Sequence, residues 1–166
     1  FNAKGVLKSS YDKINLFDVN LNKNEKYLES KNYMAGKKLV VSDLLWGKLG
    51  MSICYDLRFP NLYRKLTKKG AQFFSIPAAF TFTTGKAHWH ALIRARAIEN
   101  GCFVFAPAQC GVHDNGRRTY GHSMIVNPWG KILVEAKKNK KQIIRTIINI
   151  DEIGHSRKKI PSMTQF

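Results

Sequence analysis

The residue with the clearest chemical potential is Cys54, which lies between a short apolar run and a proline. Leu49, Met51 and Ile53 alternate as in a strand with one buried face. Pro60 suits the first turn of a helix. A sharp turn from strand to helix holds the thiol at a sheet edge, near helix N–H groups that favour a thiolate and can stabilise an oxyanion. The segment predicts a nucleophile elbow at Cys54, and by itself leaves a buried structural cysteine open as the alternative.

The elements around Cys54 are predicted to form an α/β domain with a mixed sheet. A strand, a helix and a second strand follow one another there, which implies a parallel crossover. Further along the chain, two short strands flank an Asn-Pro-x-Gly turn and form a hairpin. The elements predicted after Cys54 are a helix at about 60–69, a strand at 72–77, a helix at about 84–100, a strand at 102–107, hairpin strands at 122–126 and 131–135, a last strand at 142–150 and a polar tail at 151–166.

Length and composition are those of one globular domain. The chain has 166 residues, of which 44% are hydrophobic. It contains no run of about 18 apolar residues that could span a membrane. The three cysteines, Cys54, Cys102 and Cys110, are odd in number and lack the spacing of a zinc site, which disfavours a disulfide framework. We therefore expect no metal, no membrane partner and a reducing, cytoplasmic location.

The formal net charge is +17, from 28 lysines and arginines against 11 acidic residues. A charge of this size raises nucleic-acid binding as a hypothesis. The basic residues are scattered, however, and form clusters only at 137–141 and 157–159. A turn of solvent-exposed lysines accounts for the denser cluster at 137–141 without a bound ligand. No helix-turn-helix, RNP or zinc-finger pattern accompanies them. We expect no specific nucleic-acid partner, and a basic nucleic-acid-binding domain is kept as an alternative.

A series of motifs runs in order from Lys13 to about Glu135. The motifs are Tyr11-x-Lys-Ile-x-Leu-Phe-Asp-Val19, Glu29-Ser30, Gly36, Cys54-Tyr-Asp-Leu-Arg-Phe-Pro60, Thr84-Gly-x-Ala-His-Trp89, Arg94-Ala-Arg-Ala-Ile-Glu-Asn100, Tyr120-Gly-His-Ser-Met124 and Asn127-Pro-Trp-Gly130. Together they resemble the nitrilase superfamily of carbon–nitrogen hydrolases. The run Cys110-Gly-x-His113, followed by Arg118-x-Tyr-Gly-His-Ser-Met124, is most similar to the branch of amidases that hydrolyse deaminated glutathione.

This resemblance implies a fold, a reaction and a set of site residues. The fold is a four-layer α-β-β-α sandwich that dimerises, so we expect a homo-oligomer. The reaction is hydrolysis of a small-molecule amide by a Glu-Lys-Cys triad without a cofactor. By motif, Cys54 is the nucleophile, Lys13 is the lysine of the triad, and Glu29 is a second, supporting glutamate near that lysine.

The chemistry explains these residue types. An amide carbonyl is a weak electrophile, so hydrolysis needs a thiol that loses its proton, a base that takes and returns it, and donors for the tetrahedral oxyanion. Lys13 can supply positive charge, and the backbone N–H of Tyr55 is placed to be an oxyanion-hole donor. Glu29 can orient Lys13 and tune its charge, with a solvated loop carboxylate as the alternative interpretation.

One departure from the family pattern concerns the general base. In the family, the general-base glutamate lies on a strand well upstream of the lysine, and the twelve residues before Lys13 contain no Glu. We therefore expect 1–166 to be a partial carbon–nitrogen hydrolase domain, incomplete at the N-terminus, with 151–166 as a C-terminal tail. The chain alone is expected to show little or no turnover. A non-catalytic or decayed interaction protein is a further alternative.

The histidines have simpler interpretations. Family members commonly carry a carboxylate where this chain has His90, a change that is expected to alter the substrate pocket. His88 and His90 lie two apart on a predicted helix and so face different directions, which disfavours a metal shared between them. His122 is predicted to be a buried, hydrogen-bonded histidine. Asn127 replaces the family's usual Asp in the hairpin turn, a conservative change.

Overall fold

A six-stranded mixed sheet forms the centre of the computed structural model, which describes residues 1–22, 25–114, 116–137 and 140–163. These ranges contain ten strands: β1 (Asp18–Asn22), β2 (Glu25–Leu28), β3 (Val41–Leu44), β4 (Gly47–Met51), β5 (Phe73–Ser75), β6 (Phe103–Ala106), β7 (Cys110–Val112), β8 (Arg118–Tyr120), β9 (Met124–Val126) and β10 (Ile132–Glu135). The large sheet has the order β10-β9-β6-β5-β4-β3. Two small antiparallel hairpins, β1 with β2 and β7 with β8, lie outside it.

The strand directions follow the prediction from sequence. β4, β5 and β6 run parallel, which confirms the crossover that was predicted after Cys54. β9 and β10 pair antiparallel around the Asn-Pro-x-Gly turn, which confirms the hairpin. β3 pairs antiparallel with β4 and closes one edge of the sheet.

Three helices accompany the sheet: α1 (Pro60–Lys68), α2 (His90–Asn100) and α3 (Asp151–Lys159). α1 begins at its proline, which has no N–H to leave unpaired in the first turn. A short helical turn at Phe82–Thr84 and a π-helical segment at Gly85–Trp89 lead into α2. α2 ends at Gly101, whose φ of 57° lies in the left-handed region that a glycine adopts without strain.

The main core lies between the sheet and the helices α1 and α2. Leu66 of α1, Ile93 of α2 and Phe74 of β5 are fully buried in one apolar cluster. Burial of a side chain of this size contributes about 1.5–3 kcal/mol each. Trp89 is also fully buried, and its indole N–H donates to the backbone carbonyl of His122 at 2.9 Å. This core fixes the strand ends that carry the candidate site.

The C-terminal region differs from the prediction. Residues 142–150 were predicted to form a strand, but they lie outside the described strands, with Ile143 and Ile147 almost fully exposed. A run rich in isoleucine becomes a strand only when a neighbouring strand pairs with its backbone N–H and C=O groups. Residues 138, 139 and 164–166, which belong to the predicted lysine turn and tail, lie outside the described residues.

The segment 151–166 was predicted to be a polar tail, but it contains α3. Ile153 of this helix packs with Phe73 and Phe103 on the second face of the sheet, and this burial was invisible in the local pattern. Asp151 and Glu152 lie in the first turn of α3 and three basic residues in its last turn, which suits the helix dipole. The apolar contacts of Ile153, the complementary end charges and the long-range hydrogen bonds of Arg157 and Glu152 together order this segment.

The α/β class with a mixed sheet is confirmed. The described residues provide one large sheet with α1 and α2 on one face, equivalent to one sheet layer and one helix layer of a four-layer sandwich. None of the helices in the described ranges has both the length and the apolar character that crossing a membrane requires.

Candidate active site

Cys54 lies at a strained turn directly after β4. Its φ of 49° is in the left-handed region, which residues other than glycine seldom occupy. The strain is held by the surrounding backbone, because the Cys54 N–H donates to the carbonyl of Pro77 at 2.9 Å. Strained residues of this kind concentrate at functional sites. The sharp turn that was predicted for Cys54 is therefore present.

The predicted helix at about 60–69 is confirmed as α1, but a 3₁₀ turn lies between it and Cys54. Cys54–Arg58 form a 3₁₀ turn, and α1 begins only at Pro60. The first turn of α1 thus starts six residues after Cys54, so the backbone N–H groups next to the thiol come from the 3₁₀ turn. Because this turn is short, its dipole is weaker than that of a full helix.

A buried carboxylate, which the sequence analysis missed, joins this turn to the segment that carries Lys13. Asp56 is fully buried and accepts hydrogen bonds from the backbone N–H of Ile53 at 2.9 Å and the hydroxyl of Tyr11 at 2.8 Å. It also accepts from the backbone and side-chain amides of Asn15, at 2.9 and 2.8 Å. A carboxylate is tolerated in a protein interior only when it is hydrogen-bonded in this way. Asp56 is a positioning residue, and its place in the Cys-Tyr-Asp motif was the only signal.

Lys13 and Glu29 form an ion pair at the site. The Lys13 ammonium donates to Glu29 Oε2, and the same oxygen accepts the backbone N–H of Phe17 at 2.6 Å. Only 11% of the Lys13 side chain and 27% of the Glu29 side chain are exposed. The arrangement excludes the alternative of a solvated loop carboxylate for Glu29. It leaves Lys13 with one fixed partner and a defined position.

The predicted site residues line one cavity. Lys13, Glu29 and Cys54 all contribute to a cavity of about 890 Å³ that also includes Arg117 and Ser123 in its wall. Such a volume is within the usual range of small-molecule sites. The structure therefore brings together three side chains that are separated by up to 41 positions in the sequence, whereas no local pattern could show that they meet.

Tyr55, the fourth predicted site residue, follows Cys54 in the same 3₁₀ turn. Its ring packs edge-on against Phe17 and Phe59, at centroid distances of 5.0 and 5.4 Å. These contacts fix the side chain and hence the backbone of the turn. The role of the Tyr55 N–H as an oxyanion-hole donor stays a prediction.

The protonation of Cys54 differs from the expectation that the elbow favours a thiolate. Burial raises the pKa of the Cys54 thiol above its usual value. The charge of Lys13 and a hydrogen bond from the backbone of Ala79 act in the opposite direction, but they do not outweigh burial. Cys54 therefore rests as a neutral thiol, which makes a base necessary before it can act as a nucleophile.

Comparison with known proteins shows the family of this chain. The carbon–nitrogen hydrolase family model matches residues 1–158. The chain belongs to the carbon–nitrogen hydrolase family. It is 49% identical over 155 residues to a deaminated glutathione amidase from Synechocystis, covering 92% of this chain and 57% of that protein. This carbon–nitrogen hydrolase chain spans about half the length of the curated relatives that it matches.

Solved structures give the same result. The NitFhit protein of Caenorhabditis elegans has a TM-score of 0.86 and 40% identity, covering 98% of this chain and 40% of that one. An amidase from Nesterenkonia sp. AN1 has a TM-score of 0.65 and 28% identity, covering 77% of this chain and 47% of that one. In that structure, acrylamide has added to the active-site cysteine of a mutant enzyme. The nitrilase-type fold and the amidase-like branch are thus supported both by sequence and by structure.

A second cation of this carbon–nitrogen hydrolase, Arg117, was not singled out from the sequence. Its guanidinium donates to the carbonyl of Ala79 at 2.6 Å and lies over the ring of Tyr27, 5.1 Å from the centroid. Its charge also acts to lower the pKa of Cys54. Together with Lys13 and Lys26, Arg117 makes the wall of the cavity positively charged. Arg117 and its neighbour Arg118 read as polar loop residues in the sequence, and only the fold places Arg117 at the cavity.

Proposed function

We propose that this carbon–nitrogen hydrolase acts on a small amide through a thioester on Cys54. The observation that carries the proposal is the placement of Cys54, Lys13 and Glu29 in the wall of one cavity. The acrylamide adduct on the active-site cysteine of the Nesterenkonia amidase supports the same assignment of the nucleophile. A cavity of this size admits a substrate of small-molecule dimensions.

The reaction proceeds in two halves. A carboxylate base takes the proton of Cys54, and the sulfur attacks the amide carbon to form a C–S bond and a tetrahedral oxyanion. The base then gives that proton to the leaving nitrogen, the C–N bond breaks, and an amine or ammonia departs from the thioester. Water attacks the thioester in the second half, giving up a proton to the base, which returns it to the sulfur as the carboxylic acid leaves.

Lys13 and the backbone N–H of Tyr55 stabilise the oxyanion in both halves. Lys13 is suited to this role because Glu29 fixes its ammonium, and Glu29 is itself fixed by the backbone N–H of Phe17. Glu29 is in this proposal a positioning residue. Because Glu29 is paired with Lys13, another carboxylate must act as the base. The family resemblance assigns that role to a glutamate upstream of Lys13.

The charge of the cavity indicates the class of substrate. Arg117 and Lys26 line the same cavity as Lys13, so an amide that also carries a carboxylate is favoured over a neutral one. Deaminated glutathione, which names the Synechocystis relative, is an amide of this kind. We propose deaminated glutathione and ω-amides of short dicarboxylic acids as the substrates to test first.

The chain by itself is proposed to turn over little, because the twelve residues before Lys13 contain no Glu to act as the base. The test measures release of the acid product from deaminated glutathione by the chain alone and by the chain co-expressed with the part of the Synechocystis relative that it does not match. The pair is expected to be active and the chain alone to be about 10²–10⁴-fold slower, the usual contribution of a positioned base.

The control is the same pair with Cys54→Ala, which is expected to lose activity. Turnover that survives Cys54→Ala would overturn the thioester mechanism. An assembled pair that binds the amide but never hydrolyses it would favour the alternative of a non-catalytic protein.

A further inference from the structure

A second cluster of reactive side chains lies apart from Cys54. His90 Nε2 lies 3.0 Å from Glu135 Oε1, and His122 Nδ1 forms a hydrogen bond to the same oxygen. One ligand atom from each of the three residues lies within 4.8 Å of the other two. The proposed hydrolysis uses none of them, although His122 precedes Ser123, which lines the cavity.

Three separate elements bring the cluster together. His90 is the first residue of α2 and follows the π-helical segment, an irregularity that often accompanies functional sites. His122 lies just before β9, with a φ of 59° in the left-handed region. Glu135 ends β10 and pairs with Met124 of β9. His122 and Glu135 meet through the β9–β10 hairpin, which was predicted from the sequence, whereas the tertiary fold is what brings His90 of α2 to them.

The side chains are also held in place. The ring of Tyr120 stacks on His122 at a centroid distance of 4.2 Å and an interplanar angle of 23°. The His90 and His122 rings lie edge to face, with centroids 5.2 Å apart. Only 9% of the His122 side chain is exposed, against 33% for His90 and 31% for Glu135. The site therefore has a buried side and a side that is open to solvent.

We propose that His90, His122 and Glu135 bind a divalent transition-metal ion of the zinc class. Two imidazoles and one carboxylate are the donor set of three-ligand zinc sites, in which water takes the fourth position. The solvent-exposed side of the cluster, formed by His90 and Glu135, leaves room for that water. The metal replaces the two hydrogen bonds to Glu135 by coordination and ties α2, β9 and β10 together.

The position of Glu135 agrees with a metal ligand. One oxygen of its carboxylate, Oε1, lies within hydrogen-bond distance of both His90 Nε2 and His122 Nδ1, so the three donor atoms face one another. His88, two positions before His90, contacts Arg58 instead, at 3.2 Å, and takes no part in the cluster.

The test is titration of the metal-free chain with Zn²⁺ by calorimetry and with Co²⁺ by visible absorption. The chain is expected to bind one ion, to give the d–d bands of a low-coordinate Co²⁺ site, and to melt at a higher temperature with Zn²⁺. His90→Ala is expected to weaken binding at least tenfold. His88→Ala, the matched control, removes an exposed histidine of the same segment and is expected to leave binding unchanged.

A measurement on the unaltered chain guards against a variant that fails to fold. In NMR spectra, Zn²⁺ is expected to shift the ring signals of His90 and His122 and to leave those of His88 and His155 in place. Equal loss of binding in His88→Ala and His90→Ala, or shifts at His88 and His155 alone, would overturn the proposal. So would the absence of any binding at micromolar Zn²⁺, which would identify the cluster as a hydrogen-bond network only.

Discussion

The hydroxyl of Tyr11 donates to the buried carboxylate of Asp56 at 2.8 Å, and this hydrogen bond ties the segment before Lys13 to the turn that carries Cys54. The carboxylate of Asp56 thus helps to position both Lys13 and Cys54, because it accepts hydrogen bonds from the segments that carry them. Burial and the neighbouring Asp56 raise the pKa of Tyr11, so the hydroxyl remains a donor throughout the physiological range.

Asp56→Ala is predicted to destabilise the protein by at least about 3 kcal/mol, because it leaves several buried donors without an acceptor. The measurement is urea unfolding followed by circular dichroism. Asp43→Ala is the control, since Asp43 is exposed and its contact with Lys48 is 3.8 Å long, and this change is expected to stay within about 0.5 kcal/mol. Equal effects of the two substitutions would contradict the role of Asp56.

Alkylation of Cys54 is predicted to be faster than that of Cys102 in the folded protein and to accelerate as the pH rises above the usual range of a thiol pKa. Cys54 lines the cavity, whereas Cys102 is fully buried. Lys13→Met removes a charge that lowers the pKa of Cys54, so labelling at neutral pH is expected to slow several-fold. Mass spectrometry of the labelled peptides measures both rates. A labelling rate that does not change in Lys13→Met would show that Lys13 does not act on the thiol.

In the active pair described above, Lys13→Ala is predicted to lower kcat steeply and Glu29→Gln to lower it less. In the proposed mechanism Lys13 contacts the oxyanion, whereas Glu29, which forms an ion pair with Lys13, acts by holding it in place. The KM is expected to change little in Glu29→Gln if its role is to position the lysine during the reaction. A Glu29→Gln variant as inactive as Cys54→Ala would instead place Glu29 among the catalytic residues.

Stability is predicted to fall as the pH rises through the alkaline range. Burial raises the pKa of Tyr63, whose hydroxyl lies 2.8 Å from Ser52 Oγ, and also that of Cys102. Below the pKa that these side chains have in the unfolded chain, their contribution to the free energy of unfolding is fully present. As the pH rises above that pKa, the contribution is lost, because the unfolded chain releases these protons while the folded chain still holds them. Melting temperatures from about pH 7 to about pH 11.5 test this, because the Cys and Tyr side chains of the unfolded chain release their protons at about pH 8.5 and about pH 10. Tyr63→Phe is expected to reduce the slope, and an unchanged slope would exclude Tyr63 as a cause.

The chain is predicted to self-associate. Ile143 and Ile147 are 95% and 97% exposed in a segment that lies outside the described strands, and such apolar surface is favourably covered by a second copy. Light scattering after gel filtration is expected to give at least a dimer, and Ile143→Lys with Ile147→Lys to give a smaller species. A sharp monomer peak for the unaltered chain, with cooperative unfolding, would refute this prediction.

The sequence by itself determined the local elements near Cys54 and the family. Alternating residues before Cys54 and Pro60 after it were enough to predict a strand and α1, because the strand period of two and the fixed φ of proline act within a few residues. The ordered motifs indicated the family because many specific residues recur in one order along the chain. Lys13, Glu29 and Cys54 were predicted as site residues from these motifs.

Tertiary structure alone decided which distant groups meet. Asp56 and Arg117 gave no periodic signal, and the helix at 151–159 depends on contacts of Ile153 with residues about 50 and 80 positions away. The pKa of Cys54 also required the structure, because local charges favour the thiolate whereas burial, which outweighs them, is a property of the whole fold. The cluster of His90, His122 and Glu135 has the same origin. Residues that lie far apart in a chain become neighbours only when the core that joins their elements has formed.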